Sequence, residues 1–217
     1  MLFVAASMST VIERWCTHTS AEGLTWGVTL NGYALLAAIA RHVPIGGTEV
    51  LEIGPGYGRL LDALAECKIA PHSYLGLDLS EHWTRELRRR HGSNRIRFLV
   101  GDVCSPPQIA GKFDLVVGFL TFKHIRPDFS AAAQLAAHVL RRGHGRLIFD
   151  LPETDTAWPA VVEPADHIEG ETGTFTRSYR RDELSSILRS SGLTVVAFDD
   201  LYHTPEKRRL LVVAKKT

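Results

Sequence analysis

The segment EVLEIGPGYGRLLDAL, residues 49–64, runs from an apolar strand-like stretch through three alternating glycines into a leucine-rich helical pattern. A strand, a tight turn and a helix packed into so few residues open a βαβ unit. Further strand-like runs follow as SYLGLD (73–78), IRFLV (96–100), FDLVVGF (113–119) and GRLIFDL (145–151). Helical spacing fills the gaps between them, with Leu60, Leu61, Leu64 and Ala65 on one stripe and Leu135, Val139 and Leu140 on another. SEHWTRELRRRHG begins on Ser80, a good N-cap, and closes on Gly92 after a basic turn that suits the helix dipole. Strands alternating with helices mean crossover connections, a mostly parallel sheet and helices on both of its faces.

The end of the chain breaks that rhythm. After the helix-like RDELSSILRSSG come LTVVAFDDL (193–201) and RLLVVAK (209–215), joined only by the polar YHTPEKR. No crossover helix fits between them, so they must pair as an antiparallel hairpin at the sheet edge. The expected fold is therefore α/β: a doubly wound, seven-stranded, mostly parallel sheet with an antiparallel C-terminal hairpin. The chain reads as one domain, residues 1–217, in keeping with its length. Residues 8–47 form a helical N-terminal cap, and 152–180 form an irregular insertion of the kind that serves as a functional lid.

A net charge of +1 supplies no footprint for nucleic acid or anionic lipid. The basic run RELRRRHG reads as a solvated helix face. Cys16, Cys67 and Cys104 show neither metal-ligand spacing nor a disulfide framework, which suits a reducing cytoplasm. His18, His124 and His203 are too scattered to hold a metal. The opening MLFVAAS is too short for a signal segment or membrane span, and Met8 is an alternative start to Met1.

Glycine lets a turn approach a ligand closely, because no Cβ intrudes and positive φ costs little. Two ligand classes exploit this in an open parallel sheet. The dinucleotide fingerprint needs a third glycine where this chain has Arg59, and Glu52 would repel a phosphate turned towards it. A ligand carrying an amino-acid tail suits Gly54, Gly56 and Gly58 better, with the Glu52 carboxylate able to meet an ammonium group. VLEIGPGYG, YLGLDLS, FLVGDVC and FDLVVGFLTFKHI taken in order resemble the class I S-adenosylmethionine-dependent methyltransferases of small-molecule type, over roughly residues 48–217. The closing hairpin matches that family's reversed seventh strand.

The resemblance implies S-adenosylmethionine as cofactor and S-adenosylhomocysteine as product. It places Asp78 on the ribose hydroxyls with Leu79 beside it, Asp102 and Val103 on the adenine, and Gly118 and Phe119 near the methionine end. His124, just past the fourth strand, either takes a proton from an acceptor hydroxyl or shapes the pocket wall. Lys123 reads as its solvated neighbour. Trp26 and Trp158 either close over a cation or pack the core, and Tyr179, Tyr202 and His203 lie on the acceptor side without a fixed direction. The expected reaction is methyl transfer to a small molecule or glycan, most simply to oxygen, by a monomer or homodimer without nucleic acid or membrane. A nicotinamide-dependent oxidoreductase and a non-catalytic binding module are the competing readings.

Overall fold

In a computed structural model of the chain, residues 31–154, 161–162, 176–203 and 208–217 are described. Seven strands form the main sheet: β1 (Glu49–Ile53), β2 (Ser73–Asp78), β3 (Ile96–Val100), β4 (Leu115–Gly118), β5 (Arg146–Glu153), β8 (Leu193–His203) and β9 (Arg208–Lys216). Their order is β3-β2-β1-β4-β5-β9-β8, with two further short strands, β6 (Val161–Val162) and β7 (Thr176–Arg177), paired apart from it. The first five strands of the sheet run parallel, and β9 is antiparallel to both of its neighbours.

Sequence pattern accounts for this layering. Val50 to Ile53 are all buried, as a central strand covered on both faces requires. Alternate residues then enter two cores. Leu51, Ile53, Val116 and Phe149 face α4 (Ser130–Val139) and α5 (Arg181–Ser190). Val50, Tyr74, Val117 and Ile148 face α1 (Gly32–Ala40), α2 (Arg59–Glu66) and α3 (Glu81–His91). On α2 the buried stripe is Leu60, Leu61, Ala63 and Leu64; Ala65 points outward.

One detail differs from the sequence-based expectation, and two others are sharpened. β4 is confined to Leu115–Gly118, because Phe113 makes only a single bridge, to Leu140, and Phe119 turns away into the α1–α3 core. The antiparallel hairpin lies at the sheet edge as expected, with its second strand, β9, against β5 and β8 outermost. Of the expected helical cap, α1 is a helix, N-capped by the Asn31 side chain on the Ala34 amide, and residues 1–30 lie outside the described residues.

The order reverses at β1, whose successors step first to β2 and β3 and then, with β4, to its other side. Connections leave in opposite directions there, opening a crevice above the carboxyl ends of β1 and β4. The glycine turn follows β1 directly and lies at that crevice.

Helix α1 reaches the rim of the turn through an intimate contact. A Cβ on Gly32 would stand 2.1 Å from the Arg59 carbonyl oxygen and 2.8 Å from the Ala63 Cβ. Alanine is the better helix former by about 1 kcal/mol, but a backbone oxygen at that distance forces the helices apart. Gly32→Ala should therefore destabilise the chain by about 1–3 kcal/mol, read as a lowered midpoint in urea unfolding.

Candidate functional site

The turn after β1 is held in a conformation that only glycine adopts readily. Gly54, Gly56 and Gly58 have φ of +73°, +54° and +94°. Gly54 is walled on one side, where an added Cβ would lie 2.3 Å from Thr121 Oγ1. At Gly56 no described atom comes within 4 Å of that position. The turn is thus packed at its root and open at its crest, the shape that lets a ligand rest on bare backbone. Gly58 caps α2 and packs on Leu87 of α3, while the Arg90 side chain bonds the Tyr57 carbonyl and Asp62.

Asp78, the last residue of β2, ties the turn to the neighbouring strand. Its Oδ2 accepts the Gly56 amide at 2.8 Å and its Oδ1 accepts the Ser80 amide at 2.8 Å. Burial raises its pKa, and the two amides oppose that shift. A carboxylate offers about four lone-pair sites, so two remain for a vicinal diol. Leu79 is half-buried beside it.

Glu52 lies beneath the turn, only 4% exposed, on the face of β1 that looks towards α2. Tyr74, two strand residues away on β2, donates its hydroxyl to Glu52 Oε2. Burial is the main cause that pushes the Glu52 carboxyl up to about 7; the Tyr74 bond opposes it, Asp78 adds to it and Arg59 counters it.

Past β3, Asp102 Oδ1 accepts the Cys104 amide at 2.8 Å, closing a small turn, and Val103 is partly buried against the core. Burial and the adjacent Asp102 push the Cys104 thiol up to about 11. Past β4, the Phe122 ring occupies the space where Gly118 would carry a Cβ, and the Phe119 side chain is buried in the α1–α3 core. Only the backbone of Phe119 can thus face the crevice. The chain then passes through Leu120 and Thr121 into a short 3₁₀ turn, Phe122–His124. His124 is half-exposed, with Nδ1 3.4 Å from Thr176 Oγ1 of β7, so a strand of the acceptor-side insertion reaches it.

Two residues near His124 differ from their sequence reading. Lys123 is only 5% exposed, because the 3₁₀ turn is covered by β5 and β7 and is not solvated. Tyr179 is fully buried, packed edge-on against Phe129, and burial raises its pKa; it belongs to the core and not to an acceptor wall. Trp26, Trp158 and His18 lie outside the described residues, as do the side chains of Tyr202 and His203. Among the described residues no cluster of His, Cys, Asp and Glu could hold a metal, and no helix is long and apolar enough to cross a membrane.

The sequence reading missed Tyr74, Leu120, Thr121, Thr176, Asp150 and Arg209. A signal existed for the last two, since an acid in GRLIFDL and a base before LLVVA both interrupt apolar strands. The other four sit at positions whose role depends on a neighbour far away in the chain.

Comparisons with known proteins agree with this geometry. Residues 50–143 match the methyltransferase domain family. A fatty-acid O-methyltransferase of Mycolicibacterium smegmatis is 32% identical over 136 residues, covering 59% of this chain and 49% of that protein. A 1,6-didemethyltoxoflavin-N1-methyltransferase of Burkholderia thailandensis, solved with its substrate and S-adenosylhomocysteine, superposes with TM-score 0.70 at 21% identity, covering 99% of this chain and 89% of the other. An S-adenosylmethionine-dependent methyltransferase of Mesorhizobium loti gives TM-score 0.68 at 18% identity, over 84% of this chain and 98% of that one. The fold is thus Rossmann-like. Over residues 50–143 the chain is similar to the methyltransferase domain family, and its fold is that of the class I S-adenosylmethionine-dependent methyltransferases. It spans about half the length of the curated relatives it matches.

The buried Glu52 carboxyl makes stability depend on pH. Between the ordinary glutamate range and about pH 7 the folded chain keeps a proton that the unfolded chain releases, so stability falls as pH rises through that window. The raised pKa of Asp78 acts in the same direction. Glu52→Gln, which retains an oxygen for Tyr74, should remove on the order of 3 kcal/mol of that decline. Urea unfolding at pH 5 and pH 8 measures it, and an unchanged slope in the variant would contradict the assignment.

Proposed function

We propose that this chain transfers a methyl group from S-adenosylmethionine to an oxygen on a small molecule, lipid or glycan. The observation that carries the reading is the pairing of an open-crested glycine turn with a strand-end carboxylate, joined by the Gly56–Asp78 hydrogen bond. The sulfonium supplies the chemical activation, which leaves the protein to align an in-line displacement and keep water out.

Residue roles follow from position. Asp78 receives the ribose hydroxyls through its remaining lone pairs, and Leu79 borders the same end. Gly54, Gly56 and Gly58 give the donor's backbone-facing surface a floor without side chains. Asp102 and Val103 border the base, and the backbone at Gly118 and Phe119 borders the methionine end. Glu52 meets the ammonium group, so a bound donor favours the ionised carboxylate. His124 accepts the proton of an acceptor hydroxyl, with Thr176 orienting its ring. The fatty-acid name of one relative supports an oxygen acceptor with an apolar body.

Two measurements test the reading. Isothermal titration calorimetry should show S-adenosylhomocysteine binding to the wild-type chain and about 10- to 100-fold weaker binding to Asp78→Ala, the equivalent of one charge-assisted pair lost. Absence of binding to the wild type would sink the proposal. For His124→Ala, turnover with a hydroxylated acceptor should drop about 10²- to 10⁴-fold while donor affinity is retained. Near-normal turnover across the pH range would remove His124 from the chemistry and favour transfer without a protein base.

A further inference from the structure

Asp150 stands in the apolar run of β5 and is fully buried, and Arg209 of β9 is 5% exposed; the two form an ion pair. A buried ion pair offers little that well-packed apolar residues of the same size would not, so stability alone does not account for it. The carboxylate has a second task. While Oδ2 takes the Arg209 guanidinium, Oδ1 accepts the backbone amide of Leu120 at 2.6 Å. Leu120 has φ of +59°, a left-handed backbone that a leucine resists because its Cβ crowds the carbonyl oxygen.

The kink has a purpose visible one residue on. Thr121 donates its hydroxyl towards the Gly54 and Phe119 carbonyls, at 3.2 and 3.0 Å, and fills the space beside Gly54. Without the left-handed step at Leu120, the chain leaving β4 would continue along β5 and not fold back onto the glycine turn. A line of bonds therefore runs from Arg209 through Asp150, Leu120 and Thr121 to Gly54.

We propose that Asp150, held by Arg209, is a positioning residue: it locks Leu120 in its left-handed turn and so sets the Thr121–His124 wall against the glycine turn. Its consequence for activity rests on the methyl-donor reading above. The C-terminal hairpin thereby becomes part of the site without touching any ligand.

The test uses the full chain in three forms: wild type, Asp150→Leu with Arg209→Met, and that pair with Leu120→Gly added. The apolar pair should melt within a few degrees of wild type, yet bind S-adenosylhomocysteine about tenfold more weakly, the scale of one unsupported left-handed residue. Amides of residues 119–124 should exchange hydrogen faster in it. Adding Leu120→Gly should restore most of the affinity, because glycine needs no support for that backbone; a purely packing role for the pair would not be rescued this way. Wild-type affinity in the apolar pair, or no recovery in the triple variant, overturns the proposal. Should the apolar pair fail to fold, Asp150→Asn with and without Leu120→Gly carries the same comparison, with the same readings. Failure of the wild type to bind S-adenosylhomocysteine would overturn the methyl-donor reading, and exchange in residues 119–124 would then decide the positioning claim by itself.

Discussion

One hydrogen-bonded junction organises this molecule: the Asp78 carboxylate, at the end of β2, holds the Gly56 amide of the turn that follows β1. It fixes the crest of a turn whose three glycines would otherwise sample many backbone states, and the desolvation of Asp78 sets the strength of the bond. Everything else at the crevice is arranged around it. Glu52 and Tyr74 lie beneath, α3 presses from one side through Leu87 and Arg90, and Thr121 presses from the other. The turn is rigid at its base and bare at its top.

Much of this was legible in the sequence, and for identifiable reasons. Strand positions followed from β-branched and apolar runs, and β1, β2 and the edge strand β3 fall where those runs do because none has a competing helical period. Glycines with unusual spacing announce positive φ, and Gly54, Gly56 and Gly58 all have it. What stayed hidden depends on packing between distant segments. Lys123 looked like a surface residue because charge usually means solvent, yet β5 and β7 cover it. Phe119 looked like a pocket residue because it follows β4, but its side chain alternates into the opposite core. The left-handed backbone of Leu120 carries no sequence mark, since nothing short of Asp150 two strands-lengths of chain later explains it.

The two carboxyl groups nearest the turn show how environment divides similar chemistry. Asp78 is desolvated but supplied with two amide donors, which favour its ionised form. Glu52 is buried more deeply and receives one phenolic donor, so its proton is held to about pH 7. In the proposed function the first accepts the ribose hydroxyls beside its two amide bonds. In that function the second would change charge when the cationic donor arrives, coupling its binding to proton release.

The interior place of β9 has a consequence during synthesis. β5 is complete long before Arg208–Lys216 emerge, and until then its outer edge has no partner. Parallel strands β1 to β5 can assemble early, but the nascent chain carries an open, apolar edge of the kind that recruits other strands. β8 emerges before β9 and cannot occupy that edge without excluding it, so the chain must hold the gap open for β9. A ribosome-bound intermediate of this protein would therefore expose an apolar sheet edge until β9 fills it.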